Sequence, residues 1–272
     1  MGKFCYYKKA IALQIITAIC YFFSLTISQA QSVNHTKMEG ADISIIFNNE
    51  VLNNEPQWRY GLIDVKLQPD WKTYWENSGN SGLSPNLQIE NGIKNTLLFT
   101  APHLLQEGKD WAYIYKDHAQ ILFRIAASDI ASVNLKGNLL IGICNTICVP
   151  VDVPFILNSK PTNNFVSKLK IQTALNALPQ QASDTFYVEE PKLHDKYIEV
   201  VLHLPHQSKI AELFLASDKA QLGIAKLIQQ EPNKIIFSAP ILSGKLDKGQ
   251  KVHFIANDGN GTISGSVNIA DH

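Results

Sequence analysis

The sequence predicts an all-β protein of two sandwiches in tandem, and three observations carry that prediction. Short runs with apolar residues at every second position recur along the 272 residues, for example Ile43, Ile45 and Phe47, or Ile121, Phe123 and Ile125; this is the period of strands with one buried face. Turn-forming residues punctuate these runs, as at Pro69-Asp70 and Asp258-Gly-Asn-Gly261, where glycine and asparagine tolerate positive φ. Phe165 to Leu178 is the best helical candidate, and one such stretch is too little helix for alternating βα units.

Taken in order, residues 1–30 read as a cleaved export signal rather than as part of the fold, with an uncleaved anchor as the alternative, for which the apolar run is short. Lys3, Lys8 and Lys9 precede an apolar core from Ala10 to Leu25, and Ser28-Gln-Ala30 supplies the small residues of a cleavage site. Cleavage before Gln31 takes three of the 24 basic residues and none of the 24 acidic ones, leaving a mildly negative chain of 21 against 24. No other apolar run approaches the roughly 18 residues of a membrane span. The mature protein is therefore expected to be exported and not itself membrane-spanning. Its charge offers no basic field for nucleic acid. Apolar residues at 45% and charged residues at 18% are enough for a sizeable core.

Residues 31–160 are expected to form the first sandwich. Gln31 to Gly40 is polar and reads as loose chain. Ala41 to Phe47 and Trp58 to Leu67 are strands, with Ile63, Val65 and Leu67 on one face. Lys72 to Trp75 is a short strand running into the glycine-rich loop Asn77 to Pro85. Leu87–Ile89, Thr96–Thr100, Trp111–Tyr115 and Gln120–Ala126 follow. The last two strands carry Val133, Leu135, Leu139, Ile141 and Ile143 on one side of a turn and Val149, Val151, Val153 and Phe155 on the other. Residues 161–180 read as a helical linker: Pro161 to Asn164 caps it, Phe165, Leu169, Gln172 and Leu175 recur at helical spacing, and Pro179 ends it. Residues 181–272 are again β-rich, with strands over Thr185–Glu189, Tyr197–Leu204, Lys209–Leu215, Lys234–Phe237, Val252–Ala256 and Thr262–Ile269. A boundary near Pro179 leaves sandwiches of about 145 and 90 residues, both ordinary domain sizes.

Chemistry concentrates on one hairpin. Cys144 and Cys148 are the two cysteines left after signal removal, separated by Asn145, Thr146 and Ile147. Facing residues of a non-hydrogen-bonded antiparallel pair lie about 4.5 Å apart at Cα, within disulfide range. The spacing leaves two uses open. As a staple, a loop of about five residues contributes roughly 2 kcal/mol in the chain-entropy model, against about 3 for fifteen, because it locks a hairpin that is already local. As an exchange pair, it cycles between dithiol and disulfide. A metal site is weaker: mature Met content is Met38 alone, His103 and His118 lie on other segments, and zinc wants four ligands. No cofactor is expected. There is no nucleophile elbow, and the Asn77 to Gly82 loop lacks the strand-to-helix setting of a phosphate cradle.

Three segments together resemble a known family. Pro69-Asp-Trp-Lys-Thr-Tyr-Trp75, the Ser78 to Pro85 loop and Cys144-Asn-Thr-Ile-Cys-Val-Pro150 are similar to the periplasmic N-terminal domain of DsbD-type thiol:disulfide interchange proteins, closest to the ScsB-like branch. The resemblance covers roughly Ile43 to Leu157, and the second β-rich region resembles the extra domain of that branch more diffusely. It implies an immunoglobulin-like sandwich in the periplasm whose cysteines relay reducing equivalents from a membrane-embedded thiol donor to thioredoxin-like proteins. It also implies that Cys148 forms the mixed disulfide and Cys144 resolves it, and that Tyr74 and Trp75 support or cover the pair. For both aromatics the alternative is ordinary core. The Asn77 to Leu83 loop is a candidate cap over the thiols, with a plain surface loop as its alternative. Two departures stand out: the family's best-known members have a longer cysteine spacing, and neither a membrane conduit nor a thioredoxin-like domain follows here, so the donor is expected on a separate chain. A β-hairpin gives no helix N-terminus to activate a thiol, which predicts reaction with docked partners only. The competing class is a non-enzymatic immunoglobulin-like binding or copper-handling module with a structural or ligating pair.

Overall fold

The computed structural model describes residues 33–130, 134–159, 164–208 and 210–270. Residues 1–32, where the sequence leads one to expect an export signal, and Val133, Pro161 to Asn163 and Lys209 lie outside the described residues. In chain order the first sandwich holds β1 (Val33–Met38), β2 (Ala41–Asn48), β3 (Trp58–Leu67), β4 (Lys72–Tyr74), β5 (Asn86–Ile89), β6 (Asn95–Leu98), β7 (His103–Glu107), β8 (Asp110–Lys116), β9 (His118–Ala126), β10 (Asn134–Cys144) and β11 (Cys148–Asn158). One sheet runs β1-β2-β3-β9-β6 and the other β11-β10-β4-β8-β7, with β5 also paired to β10.

The alternation seen in the sequence is what closes these sheets on each other. Ile43, Ile45, Ile63, Val65, Ile121, Phe123 and Ile125 from the first sheet meet Leu135, Leu139, Ile141 and Ile143 from the second, all essentially solvent-free. Burial of this kind is worth roughly 1.5–3 kcal/mol per large side chain. On β11 the alternation holds for Val153 and Phe155 but fails toward the turn, where Val149 is exposed and Val151 only partly buried. The reason is position: β11 is the sheet edge, whereas β10 is flanked by β4, where Cys144 pairs with Lys72.

Residues 33–38, expected as loose chain, form β1. Its middle four side chains are polar, yet its backbone pairs with β2 along the whole strand, and Asn34 Nδ2 donates to the Pro154 carbonyl at 2.7 Å. Strand β7 was likewise not anticipated.

Helix α1 (Phe165–Asn176) is capped by Asn164, whose side chain accepts from the Ser167 N–H. It lies on the outer face of the first sheet, where Ile171, Ala174 and Leu175 cover Ile46, Tyr60, Leu62 and Leu122. The expected face was wrong in part: Leu175 is buried, but Phe165 and Leu169 are 72% and 53% exposed. The inward stripe is Ser167, Ile171, Ala174 and Leu175, a regular i, i+4, i+7, i+8 pattern disguised by two small residues. Its rotation is fixed by polar ties to the sheet side: Lys168 to Glu50 at 2.5 Å and Lys170 to Asp64 at 3.1 Å.

Asp64 is 4% exposed and also receives His118 Nε2 at 2.5 Å. Burial pushes its carboxyl up, but the hydrogen bonds from His118 and Lys170 overcome this and hold it below the usual carboxylate value. The stabilisation is therefore fully present above the unfolded value of about 4 and is lost as pH falls through the lower folded value. Asp64→Asn is expected to cost about 1–2 kcal/mol at pH 7, since Lys170 and His118 are both nearly half exposed. It should also flatten the acid limb of a stability-against-pH curve. A variant with the wild-type acid limb would show that this carboxylate does not pin the helix.

The second sandwich comprises β12 (Gln180–Gln181), β13 (Tyr187–Val188), β14 (Lys192–Leu193), β15 (Tyr197–His203), β16 (Glu212–Ala216), β17 (Ala220–Leu222), β18 (Lys226–Glu231), β19 (Lys234–Gly244), β20 (Lys251–Asn257) and β21 (Thr262–Asn268). Its sheets are β12-β21-β20-β16 and β13-β15-β19-β17, with β14 on β15 and β18 on β19. Its own core includes Ile198, Val200, Leu202, Leu222, Ile235 and Val252. Phe214, Ala216 and Ile255 depart from that core and pack into the core of the first sandwich. Their side chains alternate with Leu213, Leu215, Phe254 and Ala256, which stay in the second core.

Candidate functional site

Period-two alternation also decides what surrounds the cysteines. On β10 the odd residues through Ile143 enter the sandwich core, so Cys144 faces the other way. There it is fully buried in a separate small cluster with Tyr74, Ala112 and Ile114, against which Leu105 packs. The same rule separates neighbouring aromatics. Tyr74 goes to the cysteine face, while Trp75, one residue on, goes to the sandwich core and packs edge-on to Tyr113 and Phe214.

Cys144 and Cys148 form the last pair of the β10–β11 ladder and are joined in a disulfide, with Cα atoms 4.1 Å apart. The two sulfurs have unlike settings. Cys144 is at 0% exposure, whereas Cys148 and the whole turn Asn145 to Ile147 are exposed. Ile147, at 76% exposure, and Val149, at 42%, flank Cys148 as bare apolar surface.

Polar contacts hold the site from β4. Thr73 is buried and its hydroxyl donates to the Gly142 carbonyl at 2.9 Å, extending the short β4–β10 pairing. Lys72 Nζ donates to the Asn145 carbonyl at 2.9 Å and so holds the turn. Tyr74 Oη lies 2.9 Å from Cys148 Sγ. A disulfide sulfur carries no proton, so the phenol is the donor. Burial pushes the Tyr74 phenol above its ordinary value, which keeps that proton in place across the neutral range.

The loop after β4 passes over this face. Gly82 sits where a Cβ would fall 2.4 Å from the Tyr74 ring, and Leu83 packs on Gly142. The Ser81 carbonyl is 3.9 Å from Cys148 Sγ. At the other end of the same loop, Asn77 faces the second sandwich. Beside the sulfurs runs a groove of about 760 Å³ lined by Trp71, Lys72, Tyr74, Leu105, Trp111 and Cys148, among others.

Lys72, Thr73, Leu105 and Ser81 were not singled out in the sequence. Ala112 and Ile114 were legible only as strand residues; their shared face with Cys144 depends on β4 lying between β8 and β10. Among the described residues no group of three or more His, Cys, Asp or Glu side chains is placed to hold a metal ion. His118 is engaged by Asp64 within the first sheet, away from the cysteines. No helix among the described residues is long and apolar enough to cross a membrane.

Residues 47–160 match the family described as thiol:disulfide interchange protein DsbD, N-terminal. Among curated proteins none matches the chain in sequence. Among solved structures the chain is similar to the N-terminal periplasmic domain of ScsB from Proteus mirabilis, with a TM-score of 0.72 over 90% of this chain and 100% of that one. Sequence identity across that match is 16%, so the likeness speaks for the fold: an immunoglobulin-like sandwich followed by a second β-sandwich.

Proposed function

We propose that this chain is a periplasmic thiol-disulfide relay in which Cys144 and Cys148 alternate between dithiol and disulfide. The observation that carries the reading is the asymmetry of the pair: an exposed Cys148, its sulfur hydrogen-bonded by Tyr74, is tied to a Cys144 that solvent does not reach. A staple has no need of that arrangement. An exchanger has, because one sulfur must meet a partner and the other must be kept for the second step.

In the reducing direction, the Cys148 thiolate attacks a disulfide sulfur of a thioredoxin-like partner. The partner's S–S bond breaks, its leaving thiolate takes up a proton, and a mixed disulfide to Cys148 forms. Cys144, having lost its proton, then attacks Cys148 Sγ. The mixed bond breaks, the partner departs with both thiols reduced, and the Cys144–Cys148 disulfide remains. Two electrons and two protons have moved to the partner. A membrane-embedded dithiol donor restores the reduced pair by the reverse sequence. Ile147 and Val149 offer an apolar collar for docking, and the Tyr74 hydroxyl stabilises negative charge on Cys148 whenever that sulfur is the thiolate. The family match of residues 47–160 supports the chemistry, and the periplasmic location of the similar Proteus mirabilis domain supports the compartment.

The test is the reduction potential of the pair, by equilibration in thiol buffers. A relay predicts a value above about −300 mV with the fold intact in both states; a structural disulfide lies below that. Tyr74→Phe removes a donor that favours the reduced, charged form. It should shift the potential by about 20 mV in the negative direction, the equivalent of one hydrogen bond of about 1 kcal/mol. Unfolding on reduction would make the pair a staple.

A further inference from the structure

Residues 76–85, between β4 and β5, touch both sandwiches, and their two ends do different things. At the start, the buried Asn77 side chain donates from Nδ2 to the carbonyls of Leu215 at 2.8 Å and Leu222 at 2.9 Å, both in the second sandwich. Its Oδ1 accepts from the Gly79 N–H at 3.2 Å. Gln221 Nε2 donates to the Gly79 carbonyl at 2.7 Å, and His253 Nδ1 lies 3.1 Å from Glu76 Oε2. At the far end, the Ser81 carbonyl faces Cys148 Sγ and Gly82 lies against the Tyr74 ring.

The span between these ends is short and internally braced. Ser84 Oγ donates to the Glu76 carbonyl at 2.7 Å and accepts from the Ser78 N–H at 3.2 Å. Asn80 exchanges hydrogen bonds with the Trp111 backbone, accepting from its N–H at 2.8 Å and donating to its carbonyl at 3.2 Å. At Gly79, where φ is +78°, a Cβ would fall 2.3 Å from the Trp111 carbonyl oxygen, so the loop has no slack against β8. Ser81 Oγ also donates to the Trp111 carbonyl at 3.3 Å, so the loop is held from two sides, by the second sandwich at Asn77 and Gly79 and by β8 at Asn80 and Ser81.

We propose that the second sandwich is a clamp on this loop and through it sets the reactivity of Cys148, with Asn77 and Gln221 as positioning residues. The proposal deepens the relay reading and rests on it for the role of Cys148. The Ser81 carbonyl, 3.9 Å from Cys148 Sγ in the disulfide form, is placed to accept the thiol proton once the pair is reduced, which favours the neutral thiol over the thiolate. The loop also covers one side of the sulfur. Both effects keep the resting dithiol slow toward small reagents, because the thiolate is the nucleophile and access limits its attack. Releasing the clamp removes the acceptor and the cover together.

The test is the rate at which iodoacetamide alkylates Cys148 in the reduced full chain, read on the Cys148 peptide by mass spectrometry across pH. Asn77→Ala and Gln221→Ala are each compared with wild type. The expected result is alkylation about fivefold faster, the scale of one lost hydrogen bond, with the pH midpoint moved downward. Gln221→Ala removes a single partly buried contact and so keeps the test alive where Asn77→Ala destabilises the fold. Wild-type rates and midpoints in the folded variants would overturn the clamp. This readout needs no redox partner. Failure of the relay reading shows instead in the reduction potential and in the absence of a mixed disulfide, whatever the alkylation rates are.

Discussion

A Cys144→Ala chain is expected to accumulate a covalent adduct with its thioredoxin-like partner, whereas a Cys148→Ala chain is expected to form none. The argument is positional. Cys148 stands exposed at the edge of the sheet between Ile147 and Val149, open to a partner on the side the 76–85 loop does not cover. Cys144 lies beneath Tyr74, Leu105 and Ile114, out of a partner's reach. It remains the resolving thiol because it faces Cys148 across the last pair of the ladder and is the sulfur bonded to it in this structure. Without it the mixed disulfide has no intramolecular exit and persists until an external thiol arrives. The measurement is a non-reducing gel of each variant, expressed with its natural partners and acid-quenched to stop exchange. Adducts on Cys148→Ala but not on Cys144→Ala would reverse the roles. Adducts on neither would leave the pair structural.

Much of the architecture was legible because a half-buried strand writes its period into the sequence. Strands β2, β3, β9 and β10 each place alternate aliphatic residues in the core, and each was read with nearly its observed bounds. The strands of the first sandwich that escaped detection carry little buried side-chain surface. Strand β1 is VNHTKM and has no buried residue, and β7 is HLLQE with only Leu105 partly covered. Both are sheet edges held by backbone hydrogen bonds, which any sequence can make. The rotation of α1 was misread because bulk was taken for burial: Phe165 and Leu169 face out, and the smaller Ser167 and Ala174 face in.

The cysteine hairpin was equally legible, since spacing and alternation place Cys144 opposite Cys148. Its surroundings were not. Tyr74, Leu105, Ile114 and Cys144 come from β4, β7, β8 and β10, and their meeting depends on strand order. Once that order is known, a parity rule suffices: the even residues Lys72 and Tyr74 attend the turn and the sulfur, and the odd residues Thr73 and Trp75 turn inward. The same dependence on topology hid the junction with the second sandwich, where no local pattern marks Phe214 as a residue that leaves its own core.

Trp75→Ala is expected to be the most destabilising single change at that junction. Trp75 has no exposed surface, and its ring meets Tyr113 at a centroid distance of 5.6 Å and Phe214 at 6.2 Å, both edge-on. Tyr113 in turn meets Phe214 at 5.1 Å, so the three rings form one unit built from both sandwiches. Deleting the indole removes contacts on each side of the junction and leaves a cavity, a loss of about 3–5 kcal/mol. For a chain of this size that lowers Tm by roughly 10 °C. Trp75→Phe separates packing from polarity. The indole N–H of Trp75 has no acceptor among the described residues, so phenylalanine gives up some ring area but also removes a buried, unsatisfied donor. Its net cost is expected to be about 1 kcal/mol, well below that of alanine. Thermal denaturation of the two variants decides the matter. Equal losses would mean that the indole N–H is satisfied in solution and contributes to stability, and a Tm unchanged by Trp75→Ala would mean that the two sandwiches do not share this core.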